Sequence, residues 1–146
     1  MSEQQAVFSI EKIYMKDLSL ELPNAPRVFM QQDAPEVSVQ INTKGAPFEP
    51  NVYESVLTVT VTAKVKETTL FLVEVSEAGV FRIQNISEGD IEKLLAIACP
   101  NILFPYVREV VSDVVVRAGF PPVFLAPINF EALYQARKDK AAVQAS

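Results

Sequence analysis

From Phe8 to Leu22 apolar and polar residues alternate. Phe8, Ile10, Tyr14, Leu18, Leu20 and Leu22 fall on one side, interrupted by Lys12 and Lys16. Ser9, Glu11, Ile13, Met15, Asp17, Ser19 and Glu21 fall on the other. A period of two predicts a strand with distinct faces, which Pro23 and Pro26 end. Glu36 to Asn42 alternates again, with Val37, Val39 and Ile41 on one face, before a loop at Gly45, Pro47 and Pro50. The pattern is clearest from Tyr53 to Lys66, where Leu57, Val59, Val61, Ala63 and Val65 oppose Val56 and a threonine-rich face. After a turn at Lys66 and Glu67, Thr68 to Glu77 carries Phe71, Val73 and Val75 inward and Leu70, Leu72, Glu74 and Ser76 outward. Short connections make such neighbours antiparallel.

The period then changes. Ser87 and Asp90 resemble a capping box, and Ile91, Leu94, Leu95 and Ala98 follow at helical spacing. Pro100 breaks or kinks this helix. Leu103, Val107, Val110 and Val114 continue three or four apart, with Val111 and Val115 beside them, until Gly119, Pro121 and Pro122 stop the run. Asn129 caps a last helix through about Lys138. Strands first and helices afterwards predict an α+β fold, a four-stranded antiparallel sheet followed by two main helices. The 146 residues suit a single domain, 1–146, with 1–6 and 140–146 flexible. The first strand reads as apolar on both faces, more than two helices can cover, so oligomerisation is expected.

Composition narrows the chemistry. The formal net charge is −5, the wrong sign for phosphate backbones or anionic membranes. The opening Met-Ser-Glu-Gln-Gln is not a signal-peptide pattern. No run approaches the ~18 consecutive apolar residues of a membrane span. A cytoplasmic protein without direct membrane insertion is expected. The chain has one cysteine and no histidine, so a histidine-based triad or structural zinc site cannot be built. Neither a P-loop nor a dinucleotide fingerprint occurs among its four glycines. The expectation is no enzyme, no cofactor and no bound metal.

Few side chains remain as candidates. Cys99, in Ala-Ile-Ala-Cys-Pro, has no base nearby in sequence and reads as a buried structural residue. Asp17 and Glu21 share a strand face, and Glu74 faces the same way as Leu72. By pattern alone these acids decorate a solvated face, or serve acid–base work if burial separates their pKa values. The connection Gly119–Phe130 exposes Phe120, Val123, Phe124, Leu125 and Ile128 where loops are usually polar. It either packs over the core or forms a mobile lid over an apolar groove.

Three segments carry a resemblance. They are Ile-Tyr-Met-Lys-Asp-Leu-Ser-Leu-Glu-Leu-Pro-Asn-Ala-Pro (13–26), Cys-Pro-Asn-Ile-Leu-Phe-Pro-Tyr (99–106) and Leu-Ala-Pro-Ile-Asn-Phe-Glu-Ala-Leu (125–133). Together they resemble the SecB family of export chaperones, over about Phe8 to Tyr134. The resemblance implies sheets paired across a dimer, and two dimers packed through helices into a homotetramer. It implies an ATP-independent chaperone that holds unfolded secretory preproteins in apolar grooves and passes them to the export ATPase SecA. The family's docking residues for SecA's basic, zinc-bearing C-terminal tail fall here on Asp17, Glu21, Leu72 and Glu74. The zinc belongs to that partner. Client contacts are expected from Val37, Val39 and Ile41 on the second strand, with Phe124, Leu125 and Ile128 in the loop. The basic tail Arg-Lys-Asp-Lys-Ala-Ala departs from the acidic or glutamine-rich end of many relatives. The competing readings are a chaperone dedicated to one client, such as an antitoxin, and a small-ligand-binding α+β domain.

Overall fold

Two tight turns fold the middle of the chain back on itself. Asn51 and Lys66 occupy the left-handed region, at φ 64° and 54°, where each reverses the chain between long strands. The computed structural model describes residues 4–145. Strands β1 (Val7–Glu21), β2 (Glu36–Glu49), β3 (Val52–Val65) and β4 (Thr68–Gln84) form one antiparallel sheet in the order β1-β4-β3-β2. β1 and β2 are therefore its two edges. β2 runs on through Gly45 and Pro47, the segment expected to be a loop. An edge strand tolerates a proline because one side of its ladder lacks a partner.

Strict alternation fails in β1, and the failure sorts its residues. The register with β4 shifts between Ile10 and Lys12, and again between Met15 and Asp17. Each bulge inserts one residue and flips the alternation. As a result Phe8, Ile10, Ile13, Met15, Leu18 and Leu20 pair with Ile83, Phe81, Gly79, Glu77, Val75 and Val73. All of these lie on the face that carries the helices. Tyr14, Asp17, Ser19 and Glu21 pair with Ala78, Ser76, Glu74 and Leu72 on the opposite face. The expectation that β1 is apolar on both faces is thus corrected. Ile13 and Met15 do not share a face with Asp17, and Lys12 and Lys16 do not interrupt the apolar row.

The helices are α1 (Glu88–Lys93), α2 (Cys99–Arg117) and α3 (Phe130–Ala145). Ser87 caps α1 by accepting from the Asp90 backbone N–H at 3.4 Å, and Asn129 Oδ1 caps α3 by accepting from Ala132 at 2.9 Å. A π-helical turn, Leu94–Ala98, joins α1 to α2, so Glu88–Arg117 is one continuous rod. The wide turn ends two residues before Pro100, which was expected to break or kink the helix and instead sits in the first turn of α2, where a missing backbone donor is tolerated. α3 runs past the expected end near Lys138 to Ala145.

Leu103, Val107, Val111 and Val115 of α2 are fully buried against Leu57, Val59, Val61, Val73 and Val75 of the sheet. Each such side chain contributes roughly 1.5–3 kcal/mol by leaving water. A second cluster gathers Phe81, Ile83 and Cys99 with Leu94, Leu95 and Ile102 at the other end. By length and composition the Glu88–Arg117 rod is apolar enough to cross a membrane, with mean hydropathy 1.4, which corrects the expectation that nothing in the chain would qualify. Its buried stripe packs on the sheet as a core helix does, while Tyr106 and Val116 remain about half exposed on its far side.

Candidate functional site

Two surfaces carry the candidate residues, one on each face of the sheet. On the outer face, Glu21 pairs directly with Leu72, Ser19 with Glu74 and Asp17 with Ser76. The four residues singled out for docking therefore lie on adjacent strands of one face, although sequence pattern alone left their relation open. Asp17 and Glu21 stand about 13 Å apart along β1, and Glu74 faces the gap between them. None of the three is among the ion pairs of the described residues, which join Lys16 to Glu54, Arg82 to Glu11 and Arg117 to Asp113. The acidic patch is uncommitted.

Its neighbours are not. Lys16 donates to both oxygens of Glu54, at 2.8 and 3.0 Å, and the Tyr14 hydroxyl donates to the same carboxylate. Burial first, then the Glu54 contact, pushes the Tyr14 phenol up to about 12. The Lys16 and Tyr14 bonds hold Glu54 below the usual carboxylate range. Thr58 and Ser76 hydroxyls share a hydrogen bond of 2.8 Å beside them. This network ties β1 to β3 across β4 and fixes the strand that presents Asp17 and Glu21. Sequence reading missed it because the Lys16 bulge carries Tyr14 and Asp17 to one face. The lysines interrupting an apolar row were the visible signal.

On the helix-bearing face, Val37, Val39 and Ile41 pair with Ala63, Val61 and Val59 along the β2 edge. Ile41 packs into the main core, but Val37 and Val39 stay 44% and 42% exposed, at the end of the edge strand away from the π turn that packs on Gly45. The loop after α2 divides. Leu125 is buried and Ile128 half-buried, and both belong to the main core cluster against which Ile41 packs. Phe124 does not join them. It is 75% exposed and lines a cleft between β1 and α2, with Met15, Tyr106, Val110 and Val116.

The remaining chemistry is muted. Cys99 is buried in the second cluster, and burial pushes its thiol up to about 12, far from a nucleophile's range. Glu77, unremarked in the sequence, is 5% exposed on the helix-bearing face at the floor of the Phe124 cleft. Burial raises its carboxyl above the ordinary value. The described residues hold no group of three or more His, Cys, Asp or Glu placed to bind a metal.

Comparison with known proteins adds the wider context. The family described as "Preprotein translocase subunit SecB" matches residues 1–141. Proteins called "Protein-export protein SecB" are similar along almost the whole chain. The one from Chromobacterium violaceum is 58% identical over 145 residues, covering 97% of each sequence. That of Neisseria gonorrhoeae is 56% identical over 147 residues, covering 99% of this chain and 100% of its own. That of Nitrosospira multiformis is 57% identical over 138 residues, covering 94% and 87%. Among solved structures, a Mycobacterium tuberculosis SecB-like chaperone in complex with an antitoxin peptide shares the fold. Its TM-score is 0.69 at 15% identity, with 84% of this chain and 91% of that one covered.

Proposed function

The chain belongs to the SecB family of protein-export chaperones, and from that membership we propose that it is a cytoplasmic, ATP-independent homotetrameric holdase that captures unfolded preproteins and docks on SecA. The observation that carries the capture step is the β2 edge. Val37 and Val39 continue the core's apolar face outward, half exposed, on a strand whose far side has no partner in the sheet. An extended chain can lie there and bury apolar side chains at roughly 1.5–3 kcal/mol each before its own ordering cost. A folded client hides those groups, so the surface selects unfolded chains without reading their sequence. Binding then holds the client unfolded by mass action. Copies of the edge on one assembly add avidity, keeping a long client tethered while one segment releases.

Assembly has its own support. β1 presents Ile10 and Met15 about half exposed, and α2 presents Tyr106 and Val116. A dimer pairing sheets, and two dimers joined through helices, would cover both sets. The acidic patch suits the basic tail of SecA by charge complementarity, with Leu72 as an apolar contact between Glu21 and Glu74. The buried thiol of Cys99 accords with a protein that binds rather than transforms. Val37→Ser with Val39→Ser tests the capture step. The double variant keeps the assembly's mass but loses affinity for an unfolded precursor by about tenfold or more, since two apolar contacts are removed. Full holdase activity in that variant would overturn the assignment.

A further inference from the structure

Asp17 stands free although two neighbours are placed to occupy it. Lys16 precedes it in the chain, their Cα atoms about 3.8 Å apart. The bulge between Met15 and Asp17 turns both side chains to one cleft of about 290 Å³ on the outer face, which Lys44, Glu54, Thr58 and Ser76 also line. Ser76 lies directly opposite Asp17 on β4. A lysine ammonium is a point charge on a flexible four-carbon stem, so it swings to whichever carboxylate in reach holds it best.

Both neighbours are engaged elsewhere. The Lys16 ammonium donates to both Glu54 oxygens, at 2.8 and 3.0 Å. The Ser76 hydroxyl shares its hydrogen bond with Thr58, at 2.8 Å. Glu54 outcompetes Asp17 for the lysine because its side chain is only 26% exposed, whereas Asp17 is open to water, and a partly buried pair is screened less. The Tyr14 hydroxyl also donates to the Glu54 carboxylate and orients it. The Lys16 bond, the Tyr14 bond and the charges of Lys16 and Lys44 together hold that carboxyl below the usual carboxylate range. Asp17 and Glu54 are the two carboxylates that line this cleft. Without the charge of Glu54, Asp17 is the one left to take Lys16.

We propose that Glu54 is a positioning residue for the dock: by holding Lys16, it keeps the Asp17 carboxylate open to the basic partner. The inference rests on reading Asp17, Glu21 and Glu74 as that dock. Glu54 acts through Lys16 and not by touching the partner. The network that braces β1 therefore also sets the charge that the dock presents. With Lys16 on Asp17, the dock loses one of its three acids while the sheet keeps its fold.

Isothermal titration of the zinc-loaded SecA tail into the intact protein at low salt tests this. Glu54→Gln should weaken docking about twofold, because the attraction of Asp17 from about 8 Å is cancelled. Lys16→Gln breaks the same bonds but removes the cation, so docking should stay at or slightly above the parent value. The double variant Lys16→Gln, Glu54→Gln, which has the parent's net charge, should regain parent affinity. Asp17→Asn should cost about twofold in the parent and nothing in the Glu54→Gln background. Equal losses from Glu54→Gln and Lys16→Gln would make the network a brace only and overturn the proposal. So would a full cost of Asp17→Asn in the Glu54→Gln background, the mark of charges acting independently. Parent-like docking in both Asp17→Lys and Glu74→Lys would overturn the dock reading and this proposal with it. Weakened docking in those two but not in Glu54→Gln would leave the dock standing and overturn only the role of Glu54.

Discussion

Charge reversal in the acidic patch should have unequal effects at different positions. Glu74 faces the gap between Asp17 and Glu21, so a basic group seated on it contacts one carboxylate and has two others within about 8 Å, from strand rise and spacing. In water-like dielectric a contact at 4 Å is worth about 1 kcal/mol and one at 8 Å about half that. Glu74→Lys replaces attraction by repulsion at the near distance, a change of about 2 kcal/mol, or roughly 30-fold in affinity. Asp17→Lys acts from farther away and should cost about 1 kcal/mol, roughly fivefold. Isothermal titration with the isolated basic tail of SecA, loaded with its zinc, measures both. The difference between the variants should shrink as salt rises, because the screening length is already about 8 Å at physiological ionic strength. Client binding should not change. Wild-type docking in both variants, or equal losses that ignore salt, would refute the placement of the dock on this face.

Other outcomes follow from buried positions. Burial raises the Glu77 carboxyl above 4.5, so its protonated form favours the fold. That contribution is complete below about 4.5 and is lost as pH rises through the raised value. With no histidine to titrate, thermal melts from pH 4.5 to 7 should show Glu77→Gln gaining stability relative to the parent as pH rises; parallel curves would refute this. Gly79→Ala places a Cβ 2.6 Å from Phe81 Cε2 and 3.3 Å from Leu103 Cδ2. Phe81 is fully buried and stacked on Phe8 at 5.7 Å, so it has nowhere to move. Urea unfolding should show a loss of about 1–3 kcal/mol from overpacking, and an unchanged midpoint would mean that the sheet yields there.

Much of this architecture was legible in the chain. The alternation in β3 and the apolar lines of α2 became elements because one strong period leaves few alternatives. Asn129 and Ser87 act as helix caps as their types suggest. What escaped was local and needed a partner strand to be visible. The bulges in β1 shift the alternation twice, and only pairing with β4 shows that Ile13 and Met15 belong with Phe8 and Leu18. Gly45 and Pro47 read as loop, yet an edge strand accommodates both. By pattern the acids at 17, 21 and 74 read as a solvated face or as acid–base candidates, and the family resemblance alone gave them a docking role. The structure adds their shared face and, among the described residues, their freedom from ion pairs.

The central claim is capture of unfolded chains by an apolar edge. Size-exclusion chromatography with light scattering, using a slow-folding precursor added either unfolded or folded, tests it most directly. The account predicts a tetramer that co-elutes with the unfolded precursor and not with the folded one, and a Val37→Ser, Val39→Ser tetramer that elutes alone. Absence of any complex with the unfolded precursor at low salt would contradict it.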